Sequence, residues 1–407
     1  MGVVQGLKCR ECGTLYPPTF KWICSECFGP LDVIYNYDSI RLDPSLLEAR
    51  GKNQWRYFEL LPIKDRRHIV DLGVGYTPLL KADRLGERLG LKNLYLKNDS
   101  VNPTFSFKDR PSSVAVSKAL ELGLRAVGCA STGNLAAAMA AHATRAGLPS
   151  YIFVPHGIEP NKIIQAASYG GEVITIRGNY DDVNRLATEV GETFQIGVVN
   201  VNLRPYYVEG SKTLALEVVE QLGWQVPDYI VVPVASGALL CAIFKGLSEL
   251  VKVGLLKDNG CKPIAAQPKG CAPVVDAFKA GREFVTPVEE PKTIAKSLAI
   301  GDPGDGIYAL RLLKTKGGLA EAVGDDEVVE AVRLLASTEG IFTEPAGGVS
   351  VGVLKRLVEE GAIDRDATVV CLITGNGLKA PDAVAPTLPR PRLVESRLEA
   401  VAPLISG

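Results

Sequence analysis

This chain has no long apolar run. Over its 407 residues no stretch reaches the ~20 consecutive apolar residues that a membrane-spanning helix requires, so an integral membrane protein is not expected. It also has almost no net charge: 45 Lys and Arg against 46 Asp and Glu give −1 at pH 7. With both signs mixed along the chain, no global field gathers nucleic acid or anionic lipid. The opening residues, MGVVQGLKCREC, lack the apolar segment of a secretory signal. Gly6 stands where an N-myristoylation motif wants Ser or Thr. A cytoplasmic location is therefore expected. What is present is an ordinary globular balance, 46% hydrophobic and 22% charged, in a chain long enough for about two or three domains.

The nine cysteines fall into two groups. Cys129, Cys241, Cys261, Cys271 and Cys371 are scattered, mostly beside apolar residues, and read as small buried hydrophobes. Cys9, Cys12, Cys24 and Cys27 form C-x2-C-x11-C-x2-C near the start. Each C-x2-C turn points two thiolates at one centre, and two such turns complete a tetrahedron around Zn²⁺. So few residues cannot bury a core unaided, and a metal clip supplies the missing stability. A small structural zinc ribbon is expected, with two disulfides as the alternative pairing. A nucleic-acid-binding ribbon would need a basic face, but Lys8, Arg10 and Lys21 are offset by Glu11, Glu26 and Asp32.

Beyond the cysteines the chain has one rhythm. Short β-rich runs (91–97, 125–130, 150–155, 172–177, 197–201, 229–234, 263–267 and 367–373) alternate with helical patterns at 135–146, 162–169, 181–190, 212–222, 239–251, 326–337 and 349–360. This alternation predicts an α/β fold of mostly parallel sheets with helices on both faces. Continuously apolar runs such as Ile230-Val231-Val232 suit strands buried on both sides. Ligands on such folds bind in loops after the strands' carboxyl ends, so the informative residues are sought there.

Four loops answer that description. Asn102–Arg110 places Lys108 near two phenylalanines, Phe105 and Phe107, just before a helix expected from about Pro111; desolvation lowers a lysine's pKa and makes its amine nucleophilic. Ser131-Thr132-Gly133-Asn134 opens an Ala-rich helix, where backbone N–H groups and hydroxyls receive a carboxylate. Ser236-Gly237-Ala238-Leu239 offers small residues and close backbone approach to a phosphate, without being a G-x-G-x-x-G or P-loop motif. Thr374 follows the last apolar strand and brings a hydroxyl to the same end.

Taken together, the order and placement of these loops resemble the fold-type II pyridoxal-phosphate enzymes, and within them the threonine synthase family. The resemblance runs from the ribbon to about Asp382. It rests on Asn53–Pro62 (NQWRYFELLP), Thr77–Leu80, Leu85–Gly90, Ser106-Phe107-Lys108-Asp109-Arg110, Val208–Thr213, Phe342-Thr343-Glu344-Pro345-Ala346 and Thr374–Lys379. Departures fall at Phe105, where glycine is usual, and at Tyr76, where asparagine is usual.

The resemblance implies two doubly wound, mostly parallel sheet domains with an N-terminal zinc ribbon. The ribbon would cover 1–36, a large cofactor-binding domain 37–110 with 205–407, and a small domain 111–204. It implies pyridoxal 5′-phosphate held by Lys108 as a Schiff base, with Asn134 on its 3′ oxygen, Ser236–Leu239 around its phosphate and Thr374 at its ring nitrogen. Ser131, Thr132 and Gly133 would hold the substrate carboxylate. Arg204, His156 and Lys162 are candidates for the substrate phosphate. The implied reaction turns O-phosphohomoserine and water into threonine and phosphate, in a homodimer. A cysteate synthase, acting on phosphoserine and sulfite, and a serine/threonine dehydratase are the alternatives.

Overall fold

The computed structural model describes residues 3–131, 133–157, 163–178 and 180–405. Its thirteen strands among these residues are β1 (Val4–Cys9), β2 (Leu15–Tyr16), β3 (Leu31–Tyr35), β4 (Leu79–Lys81), β5 (Asn93–Asn98), β6 (Val127–Ala130), β7 (Ser150–Pro155), β8 (Glu172–Ile176), β9 (Gly197–Val198), β10 (Tyr229–Pro233), β11 (Lys262–Pro268), β12 (Leu319–Val323) and β13 (Thr368–Ile373). They form three sheets.

β2-β1-β3 is a small antiparallel sheet at the N-terminus. A six-stranded sheet runs β12-β11-β10-β13-β5-β4, parallel except where β4 pairs antiparallel with β5. A four-stranded parallel sheet runs β8-β7-β6-β9. All eight runs expected to be strands contain one. The edge strands β4 and β12 were not anticipated: β4 is three residues long, and β12 reads Leu-Ala-Glu-Ala-Val, whose alanines and glutamate carry little β signal. The last helix spans Leu398–Ile405.

The strand orders fix where ligands go. In the six-stranded sheet the chain winds outward through β10, β11 and β12 on one side, while β13 and β5 lie on the other. The order therefore reverses between β10 and β13. In the four-stranded sheet it reverses between β6 and β9. Open α/β sheets leave a crevice outside the carboxyl ends of their strands at such switch points. The loops after β10, β13 and β6 are Ser236–Leu239, Thr374–Gly377 and Ser131–Asn134.

One apolar cluster continues from the ribbon (Leu7, Leu31, Val33) through helix Arg204–Ser211 to both larger sheets (Val127, Ile152, Ile230, Val370). A second fills the other face of the six-stranded sheet. The N-terminal sheet is thus docked, not tethered: the Tyr35 hydroxyl donates to Glu209 at 2.6 Å, and the Tyr206 hydroxyl donates to the Thr19 carbonyl at 2.7 Å. No described helix is long and apolar enough to cross a membrane.

Candidate active site

Lys108 sits at the N-cap of helix Asp109–Glu121. The segment before it is stitched to the loop after β13: Phe107 N–H donates to the Thr374 carbonyl at 2.9 Å, and Asn376 N–H donates to the Phe105 carbonyl at 3.0 Å. Phe105 adopts a left-handed φ of 67°, as Tyr76 does at 48°. An aromatic residue is strained there, and such strain persists only where surrounding structure over-determines it. For Phe105 these two backbone bonds, at its own carbonyl and at the Phe107 N–H, supply that.

The helix itself is anchored by Arg110. This fully buried guanidinium pairs with Asp99 at 2.6 Å and Glu217 at 2.6 Å, while Lys97 meets the other Glu217 oxygen at 2.7 Å. Against the opposing effect of burial, Arg110 and Lys97 hold the Glu217 carboxyl down to about 2. Helix Arg204–Ser211 crosses at Gly210, where an added Cβ would lie 2.3 Å from the Arg110 carbonyl. Glycine permits that approach.

The Lys108 side chain has a different environment. Its Nζ lies 4.6 Å from the Phe107 ring centroid and 5.7 Å from that of Tyr207. Burial pushes the amine down to about 8, against the opposing pull of Glu344. Glu344 is the residue that sequence reasoning missed. Its motif was noted, but no role followed from it. The carboxylate is buried and accepts from Asn134 Nδ2 at 3.0 Å on both oxygens. That bond joins the start of helix Asn134–Ala146 to the N-cap of helix Pro345–Glu359. Burial pushes the Glu344 carboxyl up, opposed by Asn134, Lys379 and Lys108.

The remaining sequence candidates distribute as follows. Asn134 begins helix Asn134–Ala146, with half-buried Ser131 and exposed Gly133 before it. Thr132 and Lys162 lie outside the described residues. Thr374 is buried beside the Lys108 segment. Ser236 and Gly237 precede helix Ala238–Lys252, and Gly237 takes a left-handed φ of 91°. A Cβ there would lie 2.8 Å from the Asp305 carbonyl, and Asp305 N–H donates to the Ser236 carbonyl at 2.8 Å. Arg204 pairs with the Asp305 carboxylate, placing its guanidinium beside this loop. His156 is exposed. The geometry thus gathers Lys108, Asn134, Glu344 and Thr374 directly, and topology adds the Ser236–Leu239 loop.

At the N-terminal sheet the thiols of Cys9, Cys12, Cys24 and Cys27 lie within 4.8 Å of one another, with Cys9–Cys27 at 3.4 Å and Cys12–Cys24 at 3.5 Å. Tetrahedral Zn²⁺ with Zn–S bonds of about 2.3 Å sets sulfurs roughly 3.8 Å apart, so the donor set fits such an ion. All nine cysteines are free thiols, and the scattered five are buried or half-buried.

Residues 70–375 match the family model described as pyridoxal-phosphate dependent enzyme. The chain is 42% identical over 403 residues to a threonine synthase of Methanosarcina acetivorans, covering 98% of each chain. It is likewise 42% identical over 391 residues to a threonine synthase of Methanocaldococcus jannaschii, covering 95% of this chain and 96% of that one. Among solved structures, maize serine racemase superposes with a TM-score of 0.63 at 22% identity, over 74% of this chain and 88% of that one, a likeness of fold alone. The desolvated lysine beside the loop after β13, the matched family model and relatives alike along nearly their whole length agree, and the chain belongs to the pyridoxal-phosphate-dependent enzymes and, within them, to the threonine synthase family.

Proposed function

We propose that this protein converts O-phosphohomoserine and water to L-threonine and inorganic phosphate, with pyridoxal phosphate held by Lys108. The observation that carries the reading is the Lys108 amine, desolvated to a pKa of about 8 where the loops after β5 and β13 are stitched together. The residues present fit the cofactor. Gly237 leaves a bare backbone at a helix start, suited to a phosphate. Asn134 has a second amide hydrogen beyond the one given to Glu344, suited to the 3′ oxygen. Ser236–Leu239 would surround the phosphate and Thr374 would meet the ring nitrogen. When bound, the cofactor supplies an electron sink for charge developing on the substrate.

The chain's own residues then do three things. Ser131, Thr132 and Gly133, at the positive end of helix Asn134–Ala146, receive the substrate carboxylate. Lys108, whose lowered pKa leaves a sizeable unprotonated fraction of its amine at physiological pH, takes the proton from the α carbon and afterwards serves as the nearby acid. Arg204 supplies positive charge for the phosphate that leaves the γ carbon before water adds at the β carbon. Residues 111–204 form the small domain and close over the large one, 37–110 with 205–407, keeping bulk water from the reacting atoms. Residues 1–36 form a ribbon whose four thiolates hold a structural Zn²⁺, and two chains associate as a homodimer.

The deciding experiment follows phosphate and threonine together with O-phosphohomoserine as substrate. Equal amounts of both are expected. Phosphate without threonine, or no turnover alongside activity on phosphoserine with sulfite or on serine, would replace this reading with a sister activity of the same fold. Elemental analysis of protein purified without chelator should find about one zinc per chain.

A further inference from the structure

The ring of a buried tyrosine lies beside Lys108, and its hydroxyl has no partner among the described residues. Tyr207 lies on helix Arg204–Ser211, is 7% exposed, and presents its ring 5.7 Å from the Lys108 Nζ. Its Oη is buried and makes no hydrogen bond among the described residues. The neighbouring Tyr206 shows the ordinary solution: its hydroxyl reaches out of the core to the Thr19 carbonyl. Leaving a buried donor unmade carries the full desolvation penalty of that group, so an unpaired one at a site calls for a ligand.

The surroundings of Tyr207 say which ligand chemistry suits it. Burial pushes its phenol well up, with Cys129 adding to the effect and Arg204 opposing it; the group is a neutral donor at every physiological pH. Cys129 belongs to β6, whose carboxyl end begins the Ser131–Asn134 loop. Arg204 precedes Tyr207 by three residues, hence on the same helix face. The Arg204 guanidinium meets Asp305 but is not fully buried, at 21% side-chain exposure. A neutral donor and a partly exposed cation, the latter held by Asp305, lie on one helix face beside an amine, a combination that suits a phosphate monoester. Two sources of that group exist in the proposed reaction, the substrate and the cofactor. The cofactor's phosphate has its own loop at Ser236–Leu239, whereas the Tyr207 ring faces Lys108 and the end of β6.

Resting on the activity proposed above, we propose that the Tyr207 hydroxyl donates a hydrogen bond to the phosphate of the bound substrate, beside the charge of Arg204, and so helps to select a phosphorylated amino acid.

The test is Tyr207→Phe, which removes one oxygen and nothing else. Because that oxygen has no partner in the free protein, the melting temperature should hold or rise. The KM for O-phosphohomoserine should increase about tenfold or more, as expected for a lost hydrogen bond to a charged group, with little change in kcat. Competitive inhibition by inorganic phosphate should weaken by a similar factor, and the cofactor dissociation constant, from absorbance titration of the apoprotein, should stay put. An unchanged KM with unchanged phosphate inhibition overturns the proposal. So does a weakened cofactor in place of a raised KM, which would give the hydroxyl to the cofactor's phosphate, and so does a marked loss of thermal stability, which would reveal a structural partner. Should the wild type make no threonine, the activity reading fails by itself; inorganic phosphate titrated against wild type and Tyr207→Phe, read by the cofactor's absorbance, still decides whether this hydroxyl binds phosphate.

Discussion

Lys108 and Arg110 are two residues apart and carry the same formal charge, yet the fold treats them oppositely. Arg110 is buried with its donors directed at Asp99, Glu217, Thr77 and Thr213. Lys108 faces aromatic rings, and no hydrogen bond to its amine occurs among the described residues. One cation is satisfied internally and holds the helix start in place. The other is left under-solvated, which is what makes it reactive. The same contrast separates Tyr206, whose hydroxyl is partnered, from Tyr207, whose hydroxyl is not. In both pairs the residue that completes its bonding within the chain serves the scaffold, and the one that does not lies beside the candidate site.

Mutating each side of the pair tests that division. Lys108→Ala should lower kcat by on the order of a thousandfold or more, while the denaturant midpoint of the apoprotein should not fall, since a desolvated amine is being deleted. A variant that loses stability in step with activity would show that Lys108 is scaffold after all. Arg110→Met should do the reverse. Leaving Asp99 and Glu217 without their shared cation should cost about 3–5 kcal/mol in urea unfolding, and the activity that remains per folded molecule should exceed that of Lys108→Ala by far. Equal melting curves for Arg110→Met and wild type would break the comparison.

The smallest effect is on pH. In the proposed role only the unprotonated Lys108 amine would capture the cofactor's aldehyde, and its pKa is lowered to about 8 by burial. The rate of cofactor capture by the apoprotein should therefore rise with pH and level off above about 8. Stopped-flow absorbance would show this, and an inflection near the usual lysine value of about 10.4 would mean the amine is solvated.

Much of the architecture was legible because it rests on repeating local patterns. Alternating β-rich and amphipathic segments gave eight of the strands, since apolar runs such as 229–234 must be buried on both faces. The four thiolates were legible from spacing, because C-x2-C turns are local. The edge strands were not, because β12 has alanine and glutamate where a strand signal would be, and only pairing with β11 makes it extended. Glu344 was not legible as a site residue either. Its partner Asn134 is 210 positions away, at the start of the helix that follows β6.

Two departures from the family pattern show the boundary most clearly. At Phe105 and Tyr76, where glycine and asparagine are usual, the backbone still turns left-handed. Local preference argues against that conformation in an aromatic residue. For Phe105 it is imposed by backbone bonds to a loop about 270 residues further along. By itself the sequence determined the kinds of elements, their order, the cysteine cluster and the lysine at a strand's end, because periodicity, spacing and residue chemistry are local. Only the tertiary structure decided which cation is paired and which is left reactive, which tyrosine keeps an open hydroxyl, and which carboxylate faces the amine. Those outcomes depend on desolvation and on partners brought together from distant parts of the chain.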